Sequence, residues 1–395
     1  MRTSLHGRRP AAVLACGVAL TAAMSLTAPA AVAGPAHPAA HAASGATHAA
    51  SGAAHAASAH AQKPAAAGLT AVAVEAAGDG TWTVSWTGAG LRSVQVYVGA
   101  DARHLGKKPA AVGRGASGAV TVSTTAQRPW VEVVPDTGKA VLTASRVLGL
   151  ATATNARDIG GYRTQDGRWV KTGVVYRTNQ LTLSAADAAF VGTLGITADY
   201  DLRTTGEVAA APDVVPAGAR YRQLDVIGGD VSGGIGAITT PEAAAEAMRQ
   251  GEVAFVDSGS AKAAYRELFT SLARDKGASL YHCTAGKDRT GWATAVLLTV
   301  LGVDEQTVMD DYLLSNTYFL NTPAVQAQLD AMGPYREVYA PFMAVDSSYL
   351  QAGLDRVAQE YGSMEAYLTK GLGLSHGTIQ QLRQRLLSPA PVPAS

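Results

Sequence analysis

The residues best equipped for chemistry lie in one run, His282-Cys283-Thr284-Ala285-Gly286-Lys287-Asp288-Arg289-Thr290-Gly291, with cysteine and arginine six positions apart. It stands between a strand-like Ala278-Ser279-Leu280-Tyr281 and an apolar helical stretch from Gly291 to Leu301. A loop closing onto a helix N-terminus points successive backbone N–H groups at one spot, which suits a dianionic phosphate and favours a thiolate. Thr284, Ala285, Gly286 and Lys287 would form that cradle, with Cys283 as the nucleophile aimed at phosphorus. Arg289 would grip two phosphate oxygens through its planar fork and match the charge spread of the transition state, a task for which lysine is a poor substitute. Thr290 is placed to donate its hydroxyl to the departing sulfur, and His282 is expected to order the loop instead of serving as a base.

Of the two cysteines, Cys16 falls within residues 1–33, which read as an export signal. Arg2, Arg8 and Arg9 precede an apolar run from Ala11 to Leu26, and Ala31-Val32-Ala33 stands before Gly34. The mature chain is therefore expected to be secreted, by the general or, given Arg8-Arg9, the twin-arginine route. The apolar run is too short to span a bilayer, and Leu14 sits where a lipid-attachment site needs a small residue. Cys283 is then the one mature cysteine, without a partner for a disulfide or a resolving thiol. A lone cysteine is by default a small hydrophobe, and only its neighbours argue for more here.

Stepping outward to the supporting elements, residues 34–68 are Ala, Ser, Gly, Pro and His with almost no large apolar side chain, a composition for a disordered linker. His37, His41, His48, His55 and His60 are irregularly spaced in it, so no metal site is expected. Over 69–147 the pattern becomes period-two, in Thr81-Trp82-Thr83-Val84-Ser85-Trp86, Ser93 to Val98, Ala119 to Val122 and Trp130 to Val134, with turns at Gly78-Asp79-Gly80 and Asp136-Thr137-Gly138. This predicts a small antiparallel sandwich, similar in architecture to a fibronectin type III module and serving as a spacer.

Over 148–388 helices and strands alternate, an α/β pattern with a central sheet flanked by helices. Ser184 caps a helix to Leu194, Ile196 to Leu202 and Arg220 to Leu224 read as strands, and Thr240-Pro241 opens a short helix closed by Gly251. Ala261, Ala264, Tyr265, Leu268, Phe269 and Leu272 make one helical face, and further helices follow from Asp304 and from Ser347. The Gly- and Ser-rich Val226 to Thr240, with Asp257-Ser258-Gly259-Ser260, reads as either a lid or a plain surface loop. Residues 389–395 form a tail.

With these residues in view, the chain resembles the cysteine-dependent protein-tyrosine phosphatase superfamily, and more specifically the secreted bacterial tyrosine and dual-specificity phosphatases with Lys-Asp before the loop arginine, here Lys287 and Asp288. The likeness extends over about 147–388 through Asn155-Ala156-Arg157-Asp158-Ile159-Gly160-Gly161-Tyr162, Val175-Tyr176-Arg177-Thr178, Asp201-Leu202-Arg203 with Glu207, Asp311-Tyr312-Leu313-Leu314-Ser315-Asn316 and Tyr361-Gly362-Ser363. It implies metal-independent, cofactor-free hydrolysis of phosphomonoesters on tyrosine, in some members also on serine, threonine or phosphoinositides. Lys287 would be a second cation for a lipid headgroup, or a solvent-facing loop lysine. Arg157, Asp158 and Arg203 are expected in supporting ion pairs. The resemblance implies Asp288 as the acid that protonates the leaving oxygen, with Asp225 after the Arg220 strand as the alternative on a separate loop.

The net charge of +1 supplies no global bias toward nucleic acid or an anionic membrane surface, and no later segment looks transmembrane. The expected partner is a phosphorylated protein or phosphoinositide substrate, and a monomer is expected because no heptad seam appears. A phospho-ligand-binding protein with little turnover, or an adhesin built on the sandwich, are the competing readings.

Overall fold

The computed structural model describes residues 67–229 and 238–388. The export segment with Cys16, most of the linker, the tail and residues 230–237 of the Gly- and Ser-rich stretch lie outside the described residues. The chain divides into two compact units, one ending at Ser145 and the next beginning at Arg146.

In the first unit, β1 (Gly68–Gly78), β2 (Thr81–Ala89) and β5 (Ser117–Ser123) form a three-stranded sheet in the order β1-β2-β5. A second sheet joins β4 (Ala111–Arg114), β3 (Ser93–Gly99), β6 (Trp130–Pro135) and β7 (Val141–Ala144) in the order β4-β3-β6-β7, and every pairing is antiparallel. The alternation read from the sequence is the burial alternation of β2, where Trp82, Val84 and Trp86 face the core. Asp79 and Gly80 both take positive φ at the β1–β2 hairpin, as a primed two-residue turn requires. Gly113 lets the two sheets close, since a Cβ there would lie 2.0 Å from the Trp86 ring.

The second unit centres on a five-stranded sheet of β8 (Arg157–Asp158), β9 (Val175–Thr178), β10 (Ile196–Asp201), β11 (Arg220–Gln223) and β12 (Ala278–His282), in the order β11-β10-β12-β9-β8. All pairings are parallel except β8 with β9. Its helices are α1 (Ala185–Val191), α2 (Thr205–Ala210), α3 (Pro241–Asp257), α4 (Gly259–Arg274), α5 (Arg289–Leu301), α6 (Glu305–Ser315), α7 (Pro323–Ala331), α8 (Arg336–Met343), α9 (Ser347–Tyr361), α10 (Met364–Ala366) and α11 (His376–Leu386). Period two divides the sheet's side chains: Tyr200 and Tyr281 join the larger core with Tyr265, Phe269 and Trp292, while Tyr176, Ile196 and Leu280 join a smaller core with Leu148, Leu181 and Val191. Helix α5 is buried nearly all round, so its sequence is apolar without a stripe.

Two boundaries differ from expectation. The helix opened by Pro241 does not stop at Gly251 but runs to Asp257, because Ala254, Phe255 and Val256 bury into the core and outweigh the helix cost of one glycine. Asp257-Ser258-Gly259-Ser260 is consequently no lid loop: Ser258 ends α3 and caps α4 by accepting from the Ala261 N–H. No helix among the described residues is long and apolar enough to cross a membrane.

Candidate active site

The central strand β12 is buried along its whole length and ends at His282; residues 283–288 then turn directly into α5. This is the C-terminal edge of the parallel strands, where open α/β sheets place their ligands. Asp288 stands at the N-cap of α5, yet its side chain makes no cap hydrogen bond, so the first N–H groups of the helix remain for the loop side.

The scaffold holds the loop by its carbonyls. Gln180 N–H donates to Thr284 O at 3.0 Å, Asn155 Nδ2 to Ala285 O at 3.0 Å and the Arg177 guanidinium to Gly286 O at 2.7 Å. Across a trans peptide the carbonyl and the following N–H point opposite ways, so the N–H groups of Ala285, Gly286 and Lys287 face away from these anchors. Gly286 has φ of 68°, and a Cβ on it would lie 2.4 Å from Thr178 O, so both conformation and space demand glycine.

Arg289 reaches back to Glu207, its two arms donating to Oε2 and Oε1 at 2.7 Å each. Glu207 Oε1 also accepts from the Thr284 hydroxyl, and its Oε2 accepts from Thr204 N–H at 2.9 Å in a capping box at the start of α2. Burial pushes this carboxyl up, but hydrogen bonds and charge from Arg289 prevail and hold it down at about 2. Cys283 is buried at 1 % exposure, and Thr290 is buried with a hydroxyl that has no hydrogen-bond partner among the described residues. The expected bond from Thr290 to the sulfur is thus not formed in this arrangement. Lys287 is not the solvent-facing lysine: it is 1 % exposed and donates to Asp288 Oδ1 at 2.7 Å.

A match to the tyrosine phosphatase family runs over residues 148–388. The chain belongs to the tyrosine phosphatase family. A Cupriavidus necator protein carrying a provisional tyrosine-protein phosphatase name is 32% identical over 250 residues, covering 61% of this chain and 88% of that one. The tyrosine-protein phosphatase of Nostoc commune is 30% identical over 217 residues, 52% of this chain and 70% of its own. The triple specificity protein phosphatase PtpB of Mycobacterium tuberculosis is 29% identical over 279 residues, 60% of this chain and 98% of its own. The enzyme class expected from the loop is thereby that of a protein-tyrosine phosphatase.

Behind the loop of this phosphatase two separate charge networks stand where one was expected. In the first, Arg203 pairs with Asp201 at 2.8 Å and Asp213 at 2.5 Å, while His282 Nε2 lies 3.3 Å from Asp213. Burial would lower the imidazole, but Asp201, Asp213 and Asp199 overcome it and raise His282 to about 9, a fixed cation under the loop. Asp199, with both oxygens unpartnered, is raised by burial to about 7. Asp201, Asp213 and His282 bring donor atoms within 4.8 Å of one another, but the Arg203 guanidinium already occupies both carboxylates. In the second network Asp311 takes Arg146 at 2.6 Å, Arg177 at 3.0 Å and Arg157 at 3.5 Å, plus the Tyr162 hydroxyl at 2.9 Å. Burial pushes Asp311 up, and the three arginines hold it far below the carboxylate range. Asp158 belongs to neither; it accepts from Gly160 N–H at 2.7 Å and Gly173 N–H at 2.6 Å.

The alternative acid, Asp225, is half-buried and spends Oδ1 on the N–H groups of Ile227 and Gly228 at 3.0 and 2.8 Å, a local turn. Sequence reading missed the roles of Glu207, Asn155 and Arg177. For Glu207 a signal existed: Thr204-Thr205-Gly206-Glu207 has capping-box spacing, and a buried loop arginine needs a carboxylate.

Proposed function

We propose that this phosphatase hydrolyses phosphotyrosine through a phosphocysteine on Cys283 and that the mature protein acts outside the cytoplasm. The observation that carries the mechanism is the loop itself, with three carbonyls tied outward and Arg289 fixed on Glu207. Cys283 Sγ attacks phosphorus and expels the leaving oxygen, which takes a proton from Asp288; water then attacks the phosphocysteine, returns that proton and releases phosphate. Asp288 is favoured over Asp225 because it lies in the loop, whereas Asp225 is engaged in its own turn. Phosphoserine, phosphothreonine and phosphoinositides come within reach if Lys287 leaves Asp288 to meet a second anionic group, and the triple specificity named for the Mycobacterium tuberculosis relative favours such breadth. Export rests on residues 1–33.

The test is hydrolysis of para-nitrophenyl phosphate by the mature protein in EDTA, beside Cys283→Ser. Activity in chelator that disappears in the serine variant supports the phosphocysteine. Chelator-sensitive activity surviving Cys283→Ser overturns it, and phosphate binding without turnover moves the protein to the phospho-ligand-binding reading.

A further inference from the structure

Helix α3 delivers a second carboxyl to the active-site loop. Glu252 is 1 % exposed; its Oε1 accepts from the Tyr312 hydroxyl at 3.1 Å, and its Oε2 is buried with no hydrogen-bond partner among the described residues. The Tyr312 ring packs over the first turn of α5, so closely that a Cβ on Gly291 would sit 2.9 Å from it. The charges that act on Glu252 are those of the loop: Asp288, Lys287 and Cys283. An unpaired carboxylate buried beside a second carboxylate and a thiolate is an unfavourable arrangement, and two carboxyls in one such site ordinarily share a proton.

The geometry points to Glu252 and Asp288 as a carboxyl pair that holds one proton between them, resting on Glu252 and passed through Asp288 to the leaving oxygen. This inference rests on the phosphocysteine reading above and deepens it. At rest Asp288 has the Lys287 ammonium as its partner, whereas Glu252 has only a tyrosine hydroxyl, so the proton belongs on Glu252. Burial first, and the neighbouring Asp288 charge second, keep the Glu252 carboxyl well above its ordinary value. When the Cys283 sulfur–phosphorus bond forms and the phosphorus–oxygen bond breaks, the leaving oxygen gains the Asp288 proton and Glu252 replaces it. When water attacks the phosphocysteine, its proton returns along the same path and the thiolate departs. The protons balance over the cycle, and Glu252 acts through Asp288 as a positioning residue and proton store.

The experiment compares full-length wild type and Glu252→Gln on two substrates, phenyl phosphate, whose leaving oxygen needs a proton, and 2,4-dinitrophenyl phosphate, whose leaving group departs without one. Glutamine keeps the volume and can still accept from Tyr312. The expected result is a loss in kcat of roughly 100-fold on phenyl phosphate, with an alkaline limb moved to lower pH, and a change under about threefold on the dinitrophenyl ester. Equal losses on both esters, or none on either, overturn the proton store while wild-type turnover leaves the phosphocysteine reading standing. An inactive wild type defeats both. If Glu252→Gln does not fold, infrared spectroscopy of wild type with carboxyl-labelled glutamate decides: a protonated glutamate stretch at neutral pH is expected, and its absence overturns the inference.

Discussion

Glu207 accepts both arms of Arg289 at 2.7 Å and simultaneously takes the Thr284 hydroxyl, so one carboxylate fixes the first and last parts of the phosphate loop. The guanidinium plane is set before any substrate arrives. Preorganised donors of this kind need no reorientation as charge develops in the transition state, which is where their catalytic value lies.

Glu207→Gln removes the charge and one arm's acceptor while preserving the size. Turnover of para-nitrophenyl phosphate should fall by on the order of 10²-fold, mostly in kcat, because Arg289 loses its orientation. Steady-state kinetics with a circular-dichroism control check this; a change confined to KM would show that the pair serves binding only.

The Glu207 and His282 shifts predict opposite pH limbs of stability. Glu207 lies at about 2, below its unfolded value of 4.5, so its contribution is complete above about 4.5 and is lost as pH falls toward 2. His282 lies at about 9, above its unfolded 6.5, so its contribution is complete below about 6.5 and fades as pH rises through 9. The alkaline loss amounts to roughly 2–4 kcal/mol. Denaturant melts at pH 6, 7.5 and 9 should show it in wild type and a flatter response in His282→Gln.

Gly286→Ala forces a side chain into positive φ and against Thr178 O. The loop must shift, so activity should drop at least 100-fold even if the fold survives, with a stability loss above about 1 kcal/mol. Wild-type rates from this variant would mean that the loop is far softer than its anchors imply.

Asp288→Asn should slow esters with poor leaving groups by roughly 10²–10³-fold, whereas Asp225→Asn should leave their rates within a few-fold, because asparagine still accepts from Ile227 and Gly228. The reverse pattern would transfer the acid role to Asp225.

Asp311→Asn strips the anion shared by Arg146, Arg157 and Arg177. Three buried or half-buried guanidiniums then repel one another, and urea melts should register a loss of about 3–5 kcal/mol. Because Arg177 also carries Gly286 O, activity per folded molecule should fall too.

The sequence by itself determined everything that depends on near neighbours. Cysteine and arginine spacing, the buried strand before them and the apolar helix after them are local patterns, and α5 and β12 lie where those patterns put them. Period-two alternation likewise marked the strands of the sandwich, since burial in a sheet repeats along the chain. Packing decided the rest. Whether Gly251 ends a helix depends on what Phe255 and Val256 find to bury against, which no local rule contains. The carboxylate that holds Arg289, the amide that holds Ala285 O and the carboxyl that α3 brings to the loop come from Glu207, Asn155 and Glu252, distant in the chain. Their side chains are polar in sequence and buried in the fold, and only the tertiary structure says which buried polar group satisfies which.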